Sequence, residues 1–389
     1  MQQDLNIANK LSAGIYIHIP YCKRKCTYCN FHFSTNLKTL EEMNKAICDE
    51  IEIRKVEAKS YSIQSIYLGG GTPSLLSGSA LEKIMATIYD HYHVKSDCEI
   101  TLEANPDDID PLKLNTWLQL GINRLSIGIQ SFHEEDLGWM NRSHTAEQAK
   151  ACLIEVKSAG YQNFTIDLMY GLPASSKEKL QFNLDQLLTF QVPHFSAYAL
   201  TPEERTALIH LYKTGNLKPP EDIHTVKQMY QILDFCEGTA YEAYEISNFA
   251  KPGFRSRHNS SYWKGLPYLG FGPSAHSYDG VIRRWNIANN NLYIQNISIE
   301  QAYSEREVLS DVDHFNEYIL LNLRRVEGLN LKHIQLTFAP FYAQFLKDIQ
   351  VQLDRKDILF DGTSYILSRQ GRTQADRISA EMFAVKQKC

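Results

Sequence analysis

Three cysteines fall within one short loop, Cys22-Lys-Arg-Lys-Cys26-Thr-Tyr-Cys29, just after the apolar run Gly14–Ile19. Thiolates this close can converge on one metal centre. Iron–sulfur cubanes usually take one cysteine per iron, so three in a loop leave either a distant fourth ligand or one open iron. An open iron is a place for chemistry. The alternative is a zinc tetrahedron completed by His18 or His32, although structural zinc usually draws on two cysteine pairs and the chain has no second pair.

Gly69-Gly70-Gly71-Thr72-Pro73 directly follows the apolar stretch Ile66–Leu68. It lacks the Lys-Ser/Thr ending of a P-loop and the G-x-G-x-x-G spacing, so a nucleoside triphosphate is a weak reading. Glycine here permits close approach of backbone to a ligand. Glu103 in Thr-Leu-Glu-Ala-Asn-Pro, Gln130 in Ile-Gln-Ser-Phe, Arg142 in Met-Asn-Arg and Asp167 in Ile-Asp-Leu-Met-Tyr add two carboxylates, a neutral hydrogen-bonder and a cation. Each alone is an ordinary loop residue; at successive strand ends they describe one pocket.

The elements that must position these groups alternate. Strands are predicted at Gly14–Ile19, Ile63–Leu68, Glu99–Glu103, Arg124–Gln130, Phe164–Tyr170 and Phe195–Leu200. Helical periodicity fits Leu40–Val56, Ala80–His91, Pro111–Leu120, Ala146–Ser158, Lys177–Phe190, Glu203–Lys213 and His224–Glu237. Such βα repetition predicts an α/β fold, a partial or complete barrel whose chemistry sits at the C-terminal strand ends. After Lys251-Pro252-Gly253 the pattern changes to an aromatic, Asn- and Gly-rich segment, then helix-like stretches around Glu305–Arg324 and Leu331–Leu353. The organisation expected is a barrel over residues 1–250 and a smaller, mainly helical domain over 251–389.

Composition bounds the rest. The 389 residues are 43% hydrophobic and 22% charged, enough to bury a full core. A net charge of −5 offers no general positive field, which argues against nucleic acid as partner. No run approaches the roughly 18 apolar residues of a membrane span, and the first residues lack an export pattern, so a cytoplasmic protein without a transmembrane segment is expected. Thiols stay reduced there. Cys48, Cys98, Cys152 and Cys236 read as small hydrophobes, and Cys389 as a terminal thiol.

The C-x₃-C-x₂-C loop after a strand resembles the radical SAM superfamily, in which an open iron of a [4Fe–4S] cluster chelates S-adenosylmethionine and an electron from the cluster cleaves the sulfonium. Tyr28 fits the aromatic usual before the third cysteine. The segments YIHIPYC, YLGGGTPS, LEANPDD, RLSIGIQSF and IDLMYGLP together resemble the HemN/HemW group over about residues 14–280. The resemblance implies a partial (βα)6-type barrel with Cys22, Cys26 and Cys29 on the cluster. It implies Tyr16, Gly70, Gly71, Thr72, Glu103, Gln130, Arg142 and Asp167 around S-adenosylmethionine.

Within that group, the oxygen-independent coproporphyrinogen III oxidases carry a further cysteine where this chain has Phe31, and an N-terminal extension where this chain begins its first strand by about Gly14. In their place stands His258-Asn-Ser-Ser-Tyr262-Trp263, which is similar to the H-N-x-x-Y-W motif of the haem-chaperone branch. Neutral imidazole is a usual ligand of haem iron, and aromatics can cover the macrocycle. The resemblance therefore implies haem binding through His258, transfer to acceptor haemoproteins such as respiratory cytochromes at the membrane surface, and a homodimer as a further form. His276 is a second candidate ligand. The competing function is a radical oxidoreductase acting on coproporphyrinogen III or a related substrate.

Overall fold

The computed structural model describes residues 10–204 and 206–385. Six strands, β1 (Leu11–Ile19), β2 (Tyr61–Gly70), β3 (Val94–Ala104), β4 (Arg124–Gln130), β5 (Phe164–Tyr170) and β6 (His194–Ala199), pair in chain order and all run parallel. Parallel strands are covered on both faces, which is why these segments are near-continuous apolar runs. Ile15, Ile17, Ile66, Leu68, Leu102, Leu125, Ile127 and Ile166 are all buried.

Start signals in the sequence set the crossover helices. Ser77, Asp110, Thr145 and Ser176 each accept a hydrogen bond from the backbone N–H three residues on, and Thr145 with Gln148 closes a reciprocal capping box. These caps fix where each helix leaves its loop, and so where the strand-end residues before it stand.

The sheet extends beyond the six strands. β7 (Glu242–Ala243) and β8 (Asn248–Ala250) continue it antiparallel past β6. On the other side β9 (Tyr268–Phe271) runs parallel to β1, followed by antiparallel β10 (His276–Tyr278), β11 (Ile282–Asn286) and β12 (Ser304–Val308). The order β12-β11-β10-β9-β1-β2-β3-β4-β5-β6-β8-β7 is linear, so the barrel is open. Residues from β2 through β6 nevertheless line one cavity, which requires the sheet to curve around it.

The position near residue 250 falls inside this sheet, because residues 257–308 supply the helix Arg257–Trp263 and strands β9 to β12. A separate apolar cluster starts at Phe315 and gathers Ile319, Leu323, Ile334, Phe345, Ile349 and Ile378. With the small sheet of β13 (Leu329–Asn330), β14 (Ile358–Phe360) and β15 (Ser364–Leu367), it forms the helical C-terminal part.

Two expectations in this part are corrected. The stretch Glu305–Arg324 is an edge strand followed by a helix, Asp311–Leu323, because Ser304–Val308 pairs with β11 along one side and leaves most of its side chains in solvent. Leu331–Leu353 is two helices, Leu331–Thr337 and Ala339–Asp354, broken at Phe338 where Pro340 begins a new first turn.

A buried polar knot ties the late strands to the barrel. Arg54 Nη1 donates to Glu50 (3.1 Å) and to the Gly270 carbonyl (2.7 Å), while Glu50 also accepts from Gly272 N–H, Asn286 and the Tyr293 hydroxyl (2.6 Å). Residues 270–293 are thereby locked onto the helix Leu40–Ile53. Cys98, Cys152 and Cys236 are buried, and burial pushes their thiols up, as expected of inert core cysteines. Cys389 lies outside the described residues. Among those residues no helix is long and apolar enough to cross a membrane.

Candidate metal and cofactor site

A cavity of about 470 Å³ opens at the C-terminal ends of the parallel strands. Cys22, Cys26, Cys29, Gly70, Gly71, Thr72, Glu103, Gln130, Arg142 and Asp167 all line it, ten of the twelve residues that the resemblance assigns to the cluster, S-adenosylmethionine and haem. Tyr16 and His258 do not.

The cysteine loop is held by its neighbours rather than by secondary structure of its own. Thr27 N–H donates to Met140 carbonyl (3.2 Å), Asn141 donates to the Lys25 carbonyl (2.8 Å), and Arg24 donates to the Arg142 carbonyl (3.3 Å). Lys23 pairs with Asp107 and Asp108 in the turn after β3. Among the described residues no three His, Cys, Asp or Glu side chains converge on a single ion's position. Cys22, Cys26 and Cys29 all face the same cavity, and a cluster would take one thiolate per iron from them. Burial raises the Cys22 thiol to about 11 despite the adjacent Thr72 hydroxyl.

Arg142 spans the gap between loop and sheet. Its Nη1 donates to Cys26 Sγ (3.3 Å), and Nη2 donates to Asn105 Oδ1 (2.6 Å) and to the Gly128 carbonyl (2.8 Å). Its Nε is buried without a partner among the described residues. Gln130 adopts φ 67 at a register break in β4, a left-handed conformation rare outside glycine and typical of a strained functional position.

The glycines are needed by packing as much as by any ligand. A side chain on Gly71 would meet the Tyr21 and Ile19 carbonyls at 2.6 and 2.7 Å, and Gly70 has φ 103. Gly70 N–H donates to Glu103 (3.0 Å), as does the Tyr67 hydroxyl (2.8 Å). Burial raises Glu103 to about 7 and Asp167 to about 6, with Ser196, Arg124 and Arg142 drawing Asp167 back down. Two carboxyls that half-ionise near neutrality, a guanidinium with a spare donor and a thiol loop fit a polar, positively charged small molecule bound at a cluster.

Tyr16 is placed differently from the expectation. Its hydroxyl bonds His18 Nδ1 (3.1 Å) on the wall of a second groove, and Tyr67, its in-register neighbour on β2, reaches Glu103 instead. His258 also lies outside this cavity. It is 2% exposed, its Nδ1 bonds Ser65 Oγ (2.9 Å), its Nε2 bonds the Tyr262 hydroxyl (3.0 Å), and its ring stacks on Tyr67. Both nitrogens are thus engaged by hydroxyl groups inside the fold.

Sequence reasoning missed Arg124. It is 1% exposed, lines the inner end of the cavity, and its Nε and Nη2 have no partner among the described residues. A charge leading the otherwise apolar strand Arg-Leu-Ser-Ile-Gly-Ile was the available signal.

Several known proteins resemble this chain. Residues 16–187 match the family model described as the Radical SAM superfamily. The chain is 31% identical to the heme chaperone HemW of Lactococcus lactis subsp. lactis, over 89% of this chain and 90% of that protein. It is 35% identical to that of Escherichia coli over 68% and 69%. Against the mitochondrial radical S-adenosyl methionine domain-containing protein 1 of Danio rerio it is 29% identical over 86% and 77%. Among solved structures, coproporphyrinogen III oxidase HemN of Escherichia coli aligns with a TM-score of 0.84 over 99% of this chain and 93% of that one, at 22% identity, a likeness of fold.

Proposed function

Because the chain belongs to the HemW family of the radical SAM superfamily, we propose that it is a haem chaperone that binds haem and hands it to acceptor haemoproteins. One observation carries the reading: likeness to a curated haem chaperone runs through nine-tenths of both chains, including the part outside the barrel. Phe31, at the position of the oxidases' additional cysteine, is 67% exposed at the rim of the cavity and supplies no thiol there.

In this reading Cys22, Cys26 and Cys29 hold a [4Fe–4S] cluster, and Gly70, Gly71, Thr72, Glu103, Gln130, Arg142 and Asp167 surround S-adenosylmethionine. Bound there, the two groups supply one-electron chemistry at a sulfonium. The chain's own part is orientation. Glu103 and Asp167 accept hydrogen bonds from donors of the ligand when ionised, Arg142 steadies the Cys26 sulfur, and the buried walls keep water from the cluster. Haem is cargo in this scheme, and release follows when an acceptor offers stronger ligands and deeper apolar burial.

The test is transfer. Cluster-reconstituted, haem-loaded protein is mixed with an apo-cytochrome, and the haem spectrum of the acceptor is followed while 5′-deoxyadenosine is assayed. Delivery without stoichiometric deoxyadenosine is expected. Haem that never leaves, or deoxyadenosine formed in step with loss of coproporphyrinogen III, would overturn the reading in favour of a radical oxidoreductase.

A further inference from the structure

A second groove, about 440 Å³ and open to solvent, lies on the other side of the cysteine loop, between that loop and the β9–β10 hairpin. It shares only Asn30 and Phe31 with the cluster cavity, so the end of the cysteine loop is the partition between the two. Its walls are aromatic. Tyr262 meets Tyr268 edge to face at 4.6 Å, and Phe31 stands exposed at the rim. An open aromatic cleft of this kind covers one face of a flat apolar ring and leaves the other accessible.

Three imidazoles face the groove, and their hydrogen bonds separate them. His18 is saturated, with Nδ1 on the Tyr16 hydroxyl (3.1 Å) and Nε2 on the His32 carbonyl (2.9 Å). His32 has Nε2 committed to Asn290 (2.7 Å), which pins its ring 6.1 Å from that of His18, while its Nδ1 makes no hydrogen bond among the described residues. His276 makes no hydrogen bond among the described residues and is exposed, with its ring 6.3 Å from that of Trp285. Partial desolvation and the nearby Arg283 charge lower its pKa from the ordinary histidine value. An exposed imidazole with no hydrogen-bond partner among the described residues, beside aromatic walls, suits ligation of a metalloporphyrin.

Resting on the haem-chaperone reading, we propose that this groove is the haem seat and that His276, not His258, supplies the axial ligand to the iron. His258 then acts as a positioning residue. One helical turn before Tyr262, it holds that hydroxyl from behind and so fixes an aromatic wall of the groove. Haem seated there touches the cysteine loop through Phe31 and His32, which gives the cluster a direct route to influence how tightly haem is held.

The experiment is an anaerobic haem titration of the cluster-loaded full chain, followed by Soret absorbance and electron paramagnetic resonance, beside His276→Ala and His258→Asn. The expected result is an imidazole-type spectrum in the wild type. His276→Ala is expected to lose it with at least tenfold weaker binding, and added free imidazole to restore it. His258→Asn should keep the imidazole signature. The intact cluster absorbance of His276→Ala checks its fold, which an exposed residue should not disturb. A wild-type spectrum retained in His276→Ala, or lost in His258→Asn with His276 present, overturns the assignment. A wild type that binds no haem at all overturns the chaperone reading itself.

Discussion

Lys23 Nζ stands 2.7 Å from a carboxylate oxygen of Asp107, with Asp108 closing on the same ammonium, so the cysteine loop is moored to the turn that follows β3. Burial alone would raise the Asp107 carboxyl, yet hydrogen bonds from Lys23 and Ser143 hold it below the usual range. The ammonium is partly exposed, and such pairs contribute about 0.2–1 kcal/mol. Lys23→Met is therefore expected to speed chelator removal of iron by about fivefold at most, with little change in melting temperature. Decay of iron–sulfur absorbance under chelator checks it, and unchanged decay would show that the mooring is idle.

Cys22, Cys26 and Cys29 are the thiols on the cavity wall, whereas Cys48 is packed by the helix Leu40–Ile53 well away from it. Alanine at any of the first three should reduce reconstituted iron and sulfide from about four equivalents each to near zero. Cys48→Ala should leave both at the wild-type level. Iron retained after loss of one loop cysteine would point to a different ligand set.

Glu103 and Asp167 give the site a pH dependence whose sign is fixed. Burial raises both carboxyls, to about 7 and about 6, above their unfolded values, so between roughly pH 4.5 and 7 these two groups hold more protons in the folded chain than in the unfolded one. The contribution of these two carboxyls to the stability of the ligand-free protein then falls as pH rises through this window, opposite in sign to that of the buried, lowered His18, His144, His194 and His258. Binding of S-adenosylmethionine, which needs the ionised carboxylates as acceptors, should instead strengthen. Titration calorimetry from pH 5.5 to 8 is expected to show at least tenfold tighter binding at the upper end, and Glu103→Gln should bind weakly with a flatter profile. An equally steep profile in that variant would remove Glu103 from the effect.

Much of this site is legible in the sequence because turns and strand ends constrain residue type. Gly70 and Gly71 sit where a side chain would strike backbone, and Asp167 is a charge inside an apolar strand; both facts leave marks a reader can see. Which of two neighbouring tyrosines faces the cavity leaves no such mark. Tyr16 and Tyr67 are in register on adjacent strands, and only the curvature of the sheet and the pull of His18 turn one away and the other in. The same holds for His258, whose motif is visible but whose burial comes from the helix Arg257–Trp263 packing on β2. Asp107 and Asp108 resemble a solvated turn until Lys23 is seen across from them, 84 residues away along the chain for Asp107.

His258 is expected to matter for stability whatever binds haem. Truncation to alanine leaves Ser65 Oγ and the Tyr262 hydroxyl without their partner in a buried site, and removes the ring that stacks on Tyr67. Two lost hydrogen bonds and a cavity should cost about 2–4 kcal/mol, read as a lower urea midpoint at unchanged slope. His258→Asn should recover part of that loss by keeping one bond. Equal stability of wild type and alanine variant would mean that the ring is not packed as described.

The knot at Arg54 links the barrel to the strand that carries His276. Arg54 and Glu50 are both buried, and Glu50 also gathers Gly272, Asn286 and Tyr293. Replacing only one member of such a pair strands the other charge in a low-dielectric interior, at a cost of about 3–5 kcal/mol. Arg54→Ala should therefore destabilise by that amount. Glu50→Gln with Arg54→Met should recover part of the loss, because no full charge is then left buried. If the knot sets the geometry of β9 and β10, Arg54→Ala should also weaken haem binding while the cluster, held by the other end of β1, still assembles. Hydrogen exchange over residues 268–286 separates the outcomes: faster exchange there with an intact cluster signal is expected, and protection equal to wild type would mean that apolar packing alone holds the late strands in place.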